Sequence, residues 1–560
     1  MGLKGSTILC FEDVSYRYPA VEPWTLRELH LDISQGQNVL LAGASGSGKS
    51  TFCRASTGLI PHFHGGELVG QVFLDGLDTR QHPVYRLFTH AGLVFQNQDA
   101  QLFNQTVEAE LAYGLESLGL SRAEIEGRLS WASELIGLGP LLSQSPHMLS
   151  GGEKQKVALG AILALRPRML LLDEPFTHLD PAGADILRSI LRTIHAEGIA
   201  VIVVEHRLHE VIADVDRLIV IHEGRIAADG FPRDVMGREV TGYGLNLPPL
   251  IRLFQASGWT GVPLSVEEAL RELMSQNLFP SFVSESGPSG RNKQHDPLPS
   301  EGKQCVAELE DVWFSYNHSP VLCGISLSLT QGECVALVGR NGAGKTTLVK
   351  HLNGLLKPNQ GRVNVLGRNT LKTPVAELAR HVGFAWQNPN DQLFLANVRE
   401  EVLMGPRALR AYDSAWCNKL FERFNLTVLL DRSPFQLSEG QKKRVSFAAA
   451  LAVQPELIVL DEPTAGQDEP FRRELGKLIR ELRAEGRTIL MVTHDLEFAA
   501  EHASRWIAMA DGQIVADGKP DAVMGNKGAM TQAGLRPTQR FQLTEAIESL
   551  ENGNGSFLNP

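Results

Sequence analysis

Two nine-residue stretches are related: Gly43, Ala44, Ser45, Gly46, Ser47, Gly48, Lys49, Ser50 and Thr51 spell GASGSGKST, and Gly339, Arg340, Asn341, Gly342, Ala343, Gly344, Lys345, Thr346 and Thr347 spell GRNGAGKTT. Both fit GxxxxGK[ST], both follow an apolar run (NVLLAG, CVALVG), and both precede a segment readable as helix, the context this motif needs. Glycines at this spacing let successive backbone N–H groups turn inward around phosphate oxygens, at a helix N-terminus whose dipole favours the same anion. Lys49 and Lys345 then offer point charges to β- and γ-phosphates, and the hydroxyls of Ser50 and Thr346 suit Mg2+. Two glycine-rich turns before helices are the plain alternative, and two matches in register argue against it.

RMLLLDEP and ELIVLDEP are short apolar runs that end in Asp-Glu. Such runs suit buried parallel strands whose carboxyl ends open onto a ligand crevice. Within each pair the roles divide: Asp173 and Asp461 hold Mg2+ through water, while Glu174 and Glu462 orient and polarise an attacking water as general bases. An Asp-Glu pair after a strand is also a common solvated loop start, so the weight comes from its place behind a P-loop.

The chain is written twice. Lys49 and Lys345 stand 296 residues apart, and Glu174 and Glu462 stand 288 apart, as do His206 and His494. Conserved order with a small change of offset means duplication, with short length differences between the P-loop and the later motifs. An α/β fold is expected in each half: a mostly parallel core sheet flanked by helices, an antiparallel edge at its N-terminus and an inserted helical subdomain. The expected domains are 1–236, a helical extension 237–280 with the amphipathic run VEEALRELM, a flexible linker 281–304, a second domain 305–525 and a frayed tail 526–560.

LSGGEKQ from Leu149 and LSEGQKK from Leu437 resemble the LSGGQ signature of ABC ATPases. The residues concerned are Ser150, Gly151, Gly152 and Glu153 in one copy and Ser438, Glu439, Gly440 and Gln441 in the other. Glu153 replaces the family's Gln, and Glu439 replaces its first Gly. The resemblance implies that each signature faces the P-loop of the opposite domain, so that the halves pair head to tail around two ATP molecules. One site would combine Lys49, Glu174 and His206 with Ser438 and Gly440, the other Lys345, Glu462 and His494 with Ser150 and Gly152. Glu439 places a carboxylate near a phosphate, from which a slower first site is expected. The resemblance also gives Gln96 and Gln387 the role of the Q-loop amide that contacts Mg2+ or water, and His206 and His494 that of the γ-phosphate switch. It makes Asp180 and Asp468 the D-loop residues at the dimer seam, and Tyr18 and Tyr316 the aromatics that stack on adenine.

QNQDAQLFNQTVEAELAYG and QNPNDQLFLANVREEVLMG further resemble the Q-loop region of energy-coupling-factor transporters, importers of vitamins and transition-metal ions. Gln98 departs from the proline frequent there. In that family the stretch lines a groove that receives coupling helices of a membrane T-component, and a separate S-component binds the substrate. The resemblance implies an ATP hydrolase, peripheral on the cytoplasmic face of the cell membrane, with T- and S-components as partners. Two alternatives share the tandem arrangement: ribosome-associated ABC-F factors, whose linker is basic and helical, and fused sugar-importer ATPases, in which one half is commonly degenerate. Composition weighs against the ribosomal one. The 560 residues carry 64 acidic and 53 basic side chains, net −11, and no nucleic-acid partner is expected. Six scattered cysteines suggest neither zinc site nor disulfide framework. No apolar run approaches the length of a membrane-spanning helix, and the MGxxxS pattern of Met1, Gly2 and Ser6 reads as chance.

Overall fold

The computed structural model describes residues 6–19, 21–96, 101–177, 179–238, 240–276, 278 and 304–551. The linker stretch 281–303, the end of the tail 552–560, Gln98, Met1 and Gly2 lie outside them. The chain divides into two compact units, 1–179 with 183–269 and 180–182 with 270–560.

In the first half, β1 (Thr7–Arg17), β2 (Leu26–Ser34), β4 (Glu67–Leu74) and β5 (Leu77–Asp78) form an antiparallel sheet in the order β2-β1-β4-β5. Strand β2, LRELHLDIS, buries alternate residues, as a strand with one solvated face must. A second sheet has the order β10-β9-β3-β8-β7-β6, built from β3 (Asn38–Ala42), β6 (Ala91–Val94), β7 (Met169–Asp173), β8 (Ala200–Val204), β9 (Arg217–His222) and β10 (Arg225–Gly230). Strands β3, β7 and β8 are buried along their whole length, which their unbroken apolar runs NVLLA, MLLLD and AVIVV anticipate for a sheet covered on both faces. All pairings of this sheet are parallel except β10 on β9. The N-terminal antiparallel strands form a sheet of their own, and one further antiparallel strand, β10, lies at an edge of the core sheet.

The second half repeats the plan. An antiparallel sheet β12-β11-β14-β15 joins β11 (Cys305–Tyr316), β12 (Ser319–Thr330), β14 (Gln360–Val365) and β15 (Arg368–Asn369). The core sheet β16-β17-β18-β13-β19-β20 uses β13 (Cys334–Val338), β16 (Val382–Ala385), β17 (Leu457–Asp461), β18 (Thr488–Val492), β19 (Arg505–Ala510) and β20 (Gln513–Gly518). Strands β13, β17 and β18 are again wholly buried. Between β6 and β7, and between β16 and β17, helices are inserted: Val107–Ser117, Arg122–Ile136 and Gly151–Ala164 in one half, Val398–Ala408, Ser414–Arg423 and Glu439–Leu451 in the other. The last of each trio carries the signature residues at its N-terminus.

The segment after β20 departs from expectation. Residues predicted to fray form helices Lys527–Gln532 and Gln539–Glu551, with Met530, Leu543, Ala546 and Ile547 buried. They mirror the extension of the first half, where Pro249–Ala256 and Val266–Ser275 are helical. The carbonyl of Ala533 accepts a 2.7 Å hydrogen bond from the backbone N–H of Arg340, so this segment braces the second P-loop. Among the described residues no helix is long and apolar enough to cross a membrane.

Candidate functional site

Each P-loop leaves the end of a central strand and re-enters as a helix, Lys49–Ser56 after β3 and Lys345–Leu352 after β13. The first glycine of each is fixed by crowding: a Cβ on Gly43 would sit 2.2 Å from the carbonyl oxygen of Ile221, and one on Gly339 would sit 2.2 Å from that of Met509. Ala44 to Ser47 and Arg340 to Ala343 form the turns, closed by Ser47 N–H on Ala44 at 3.2 Å and Ala343 N–H on Arg340 at 3.2 Å. The lysines fold back over these turns. Lys49 Nζ donates to the carbonyls of Gly43 and Ala44, both at 2.9 Å, and Lys345 Nζ to those of Gly339 and Arg340 at 2.7 and 2.9 Å. Burial lowers the Lys345 pKa, against the pull of Glu462 and Asp461.

The carboxylates stand where the sequence put them, at the ends of β7 and β17. Asp173 and Asp461 are buried, and in each one Oδ1 has no hydrogen-bond partner among the described residues. The Thr346 hydroxyl donates to Asp461 Oδ2 at 3.0 Å, and Ser50 bonds Asp173. A buried carboxylate oxygen left open beside a hydroxyl is a donor set that suits a small hard cation such as Mg2+. Burial, then the neighbouring Glu174, pushes Asp173 up to about 6, and burial raises Asp461 too.

Glu174 and Glu462 follow on backbones with φ of 52° and 49°, a left-handed conformation uncommon for residues other than glycine. Their N–H groups donate to Val204 and Val492, at 2.9 and 2.8 Å. The turn brings each glutamate to its histidine: His206 Nε2 lies 3.3 Å from Glu174 Oε1, and His494 Nε2 lies 3.2 Å from Glu462 Oε1. In the first half Gln96 Nε2 also donates to Glu174 Oε2 at 2.8 Å, and the Thr177 hydroxyl to the same oxygen at 3.2 Å. Despite burial, His206, Lys49 and Thr177 hold Glu174 down at about 2. The counterpart of Thr177 is Ala465. Burial and the Asp461 charge raise Glu462 to about 7, only partly opposed by Lys345.

The signature serines are helix N-caps. Ser150 and Glu153 form a reciprocal capping box on the helix Gly151–Ala164, as Ser438 and Gln441 do on Glu439–Leu451. The capping box accepts Glu or Gln at its fourth position, so Glu153 keeps the local geometry. Gly151, Gly152 and Gly440 lie in the first turns. The Glu439 carboxylate meets Lys442 Nζ at 2.8 Å and Asn390 at 3.3 Å, so its charge is compensated within its own half. Asp468 caps the helix Glu469–Ala484, accepting from Phe471 N–H at 3.2 Å, while Asp180 immediately precedes the helix Pro181–Ala196. Tyr18 has its hydroxyl 3.2 Å from Thr51 Oγ1 and accepts from Arg54 at 2.7 Å, whereas Tyr316 is exposed, edge-on to Phe314. Thr347 accepts from the His351 ring at 2.8 Å through its carbonyl.

Three residues at the site escaped the sequence reading. Glu205, next to His206 and buried, accepts from the N–H groups of Phe176, His206 and Arg207 at 3.2, 2.8 and 3.0 Å. The second half has Thr493 there and anchors the segment instead through buried Asp495, which meets Arg472 and accepts from Thr464 at 2.9 Å. Lys443 is buried in the signature helix at the place of Gln155. The charged letter before the histidine and the lysine inside a buried helix face were the available signals.

Beyond the Q-loops, each half displays matched apolar side chains. Phe103 and Tyr113 are 59% and 50% exposed and meet edge to face at 4.8 Å, while Phe394 and Met404 are 60% and 44% exposed. A buried glutamate shapes each loop: Glu110 Oε2 accepts from Phe103 and Asn104 N–H at 3.0 and 2.7 Å, and Glu401 Oε2 from Phe394 and Leu395 N–H at 3.0 and 2.7 Å.

A family model described as ABC transporter matches residues 26–177 and 322–465. A Methanosarcina mazei chain, described only as an ABC transporter ATP-binding protein, is 37% identical over 542 residues, spanning 94% of this chain and 91% of its own length. An Enterococcus faecalis chain of the same description is 33% identical over 557 residues, spanning 97% and 96%. Among solved structures, the archaeal ribosome recycling factor aABCE1, crystallised with the ribosomal stalk protein aP1, aligns over 97% of this chain and 98% of its own with a TM-score of 0.59. At 20% identity that likeness is one of fold.

Proposed function

Because the chain belongs to the ABC transporter family, whose tandem domains bind and hydrolyse ATP, we propose that it energises a membrane importer of the energy-coupling-factor type, for a vitamin, a vitamin precursor or a transition-metal ion. Its place would be the cytoplasmic face of the membrane, bound to a T-component that carries an S-component. The observation that supports this reading most is the pair of exposed apolar sites, Phe103 with Tyr113 and Phe394 with Met404, in each of which the phenylalanine sits on a loop that a buried glutamate holds. Solvated faces rarely keep such side chains in matched positions unless a partner covers them. They occupy the stretch that, by resemblance, receives coupling helices.

In this reading the halves close head to tail on two ATP molecules, Lys49, Glu174 and His206 working with Ser438 and Gly440, and Lys345, Glu462 and His494 with Ser150 and Gly152. Ser50, Asp173 and Gln96, and their counterparts Thr346, Asp461 and Gln387, would hold Mg2+. The ion would offset charge on the β- and γ-phosphate oxygens. Glu174 and Glu462 orient the attacking water and draw off its proton, His206 and His494 fix those carboxylates and face the γ-phosphate, and the lysines bind its oxygens. Hydrolysis removes what holds the halves together, and reopening drives the partner.

The test is capture. A full-length E174Q/E462Q chain, loaded with ATP and purified from membranes of its host, is expected to retain a small integral membrane protein. Adding F103A and F394A is expected to abolish that capture while ATP binding stays unchanged. Recovery of ribosomes, or capture indifferent to the two phenylalanines, would overturn the reading.

A further inference from the structure

Lys443 lies inside the signature helix Glu439–Leu451 and is 3% exposed. A buried ammonium is tolerated only when its donors are all bonded. Here its three N–H groups meet three backbone carbonyls, those of Trp386 at 2.7 Å, Gln387 at 2.8 Å and Asp461 at 2.9 Å. The first two belong to the chain leaving β16, the third to the last residue of β17.

The ladder between those strands makes this placement informative. Pairing of β16 with β17 ends at Ala385 opposite Leu460. Beyond that point Lys443 joins the Q-loop to the end of β17, taking over where the sheet stops. In the first half β6 and β7 also part, after Val94 opposite Leu172. There the residue equivalent to Lys443 is Gln155, whose amide donates to the carbonyl of Pro175, and the Q-loop is joined to the next strand by the Gln96 side chain on Glu174 at 2.8 Å. The same fold therefore forms with a neutral side chain at this place, so folding alone does not account for a buried charge.

We propose that Lys443 is a positioning residue of the second half, the tie that sets the Q-loop amide of Gln387 relative to Asp461 and Glu462, a task that in the first half falls to Gln96 itself. The inference rests on ATP binding and hydrolysis and is independent of the importer reading. With the tie cut, the Gln387 backbone is no longer held to the end of β17, and binding of the magnesium nucleotide at the second P-loop weakens while the fold persists.

Trp386, next to Gln387, supplies a readout that is not turnover. In the full-length E174Q/E462Q chain, Mg·ATP is titrated against indole emission, and W386F identifies the part of the signal that Trp386 gives. K443Q, which installs the first half's side chain, is expected to raise the midpoint of that part about tenfold, the scale of a few lost hydrogen bonds. K443R, with its charge kept but its donors in a plane, is expected to fall between K443Q and the parent, and it serves equally should K443Q fail to fold. A midpoint within about twofold of the parent in either folded variant, set against a tenfold change per 1.4 kcal/mol, would overturn the proposal.

Discussion

The two halves share strand order, P-loop geometry and the glutamate–histidine contact, yet the charges buried behind those parts are exchanged. The first half surrounds Glu174 with Gln96, His206 and Thr177 and buries a further carboxylate, Glu205, beneath the histidine. The second half has Ala465 and Thr493 at the corresponding places, buries Lys443 under the Q-loop, and ties its histidine segment through Asp495 and Arg472. The groups proposed to touch nucleotide are common to both halves, and the groups that hold them are not. Glu174 consequently sits at about 2 and Glu462 at about 7, while both aspartates shift upward and do not separate the halves.

Removing each proposed base in turn separates the two halves most strongly. E174Q and E462Q are each expected to lower turnover at their own site by about 10²- to 10⁴-fold, the usual scale of acid–base assistance, with ATP binding retained. Measured on the whole chain, the residual steady-state rates of the two variants should differ. Equal and complete loss in both would show that the sites fire as one unit, and the difference between their surroundings would then have no kinetic meaning.

The halves should also differ in their response to acid. A general base works only when ionised, so a raised pKa costs activity as pH falls through it, about tenfold per unit below. Turnover by E174Q, which leaves Glu462 as the base, is expected to decline below about pH 7. Turnover by E462Q, which leaves Glu174, should hold to distinctly lower pH. Superimposable profiles of kcat/KM against pH would contradict the asymmetry.

How much of this was legible in the sequence follows from what each signal encodes. Motifs record the groups that carry the proposed chemistry, and in each half these side chains lie close together: Lys49, Asp173, Glu174 and His206 in the first, Lys345, Asp461, Glu462 and His494 in the second. Even the glutamate within the QLF stretch gains a reason: Glu110 and Glu401 accept the N–H groups of the loop that exposes Phe103 and Phe394. Supports such as Glu205 and Lys443 were hidden because a single charged letter in a loop or helix reads first as solvated surface. Glu439 looked like an added charge facing phosphate because its local partner Lys442 becomes apparent only once the helix is formed. The C-terminal helices were masked by the polar stretch that ends the chain, although Leu543, Ala546 and Ile547 already repeat at helical spacing. Alternation marks a half-buried strand without saying which strand pairs with it, so the order β2-β1-β4-β5 is legible only in the structure.

The smallest expected effect tests whether the surroundings of the two glutamates, and not their motifs, set the difference. Thr177 donates to Glu174 Oε2 at 3.2 Å, and Ala465 has no hydroxyl to offer Glu462. A hydroxyl bonded to a carboxylate favours the ionised form, by about 0.5 to 1.5 kcal/mol, or up to about one pKa unit. T177A in the E462Q background should therefore move the acidic limb of kcat/KM upward by less than about one unit. A465T in the E174Q background should move its limb downward by a similar amount. Opposite shifts from a reciprocal exchange would place the asymmetry in the side chains that frame the bases. Limbs that stay fixed would place it instead in the charges around each glutamate, His206 and Lys49 beside Glu174 and Asp461 beside Glu462.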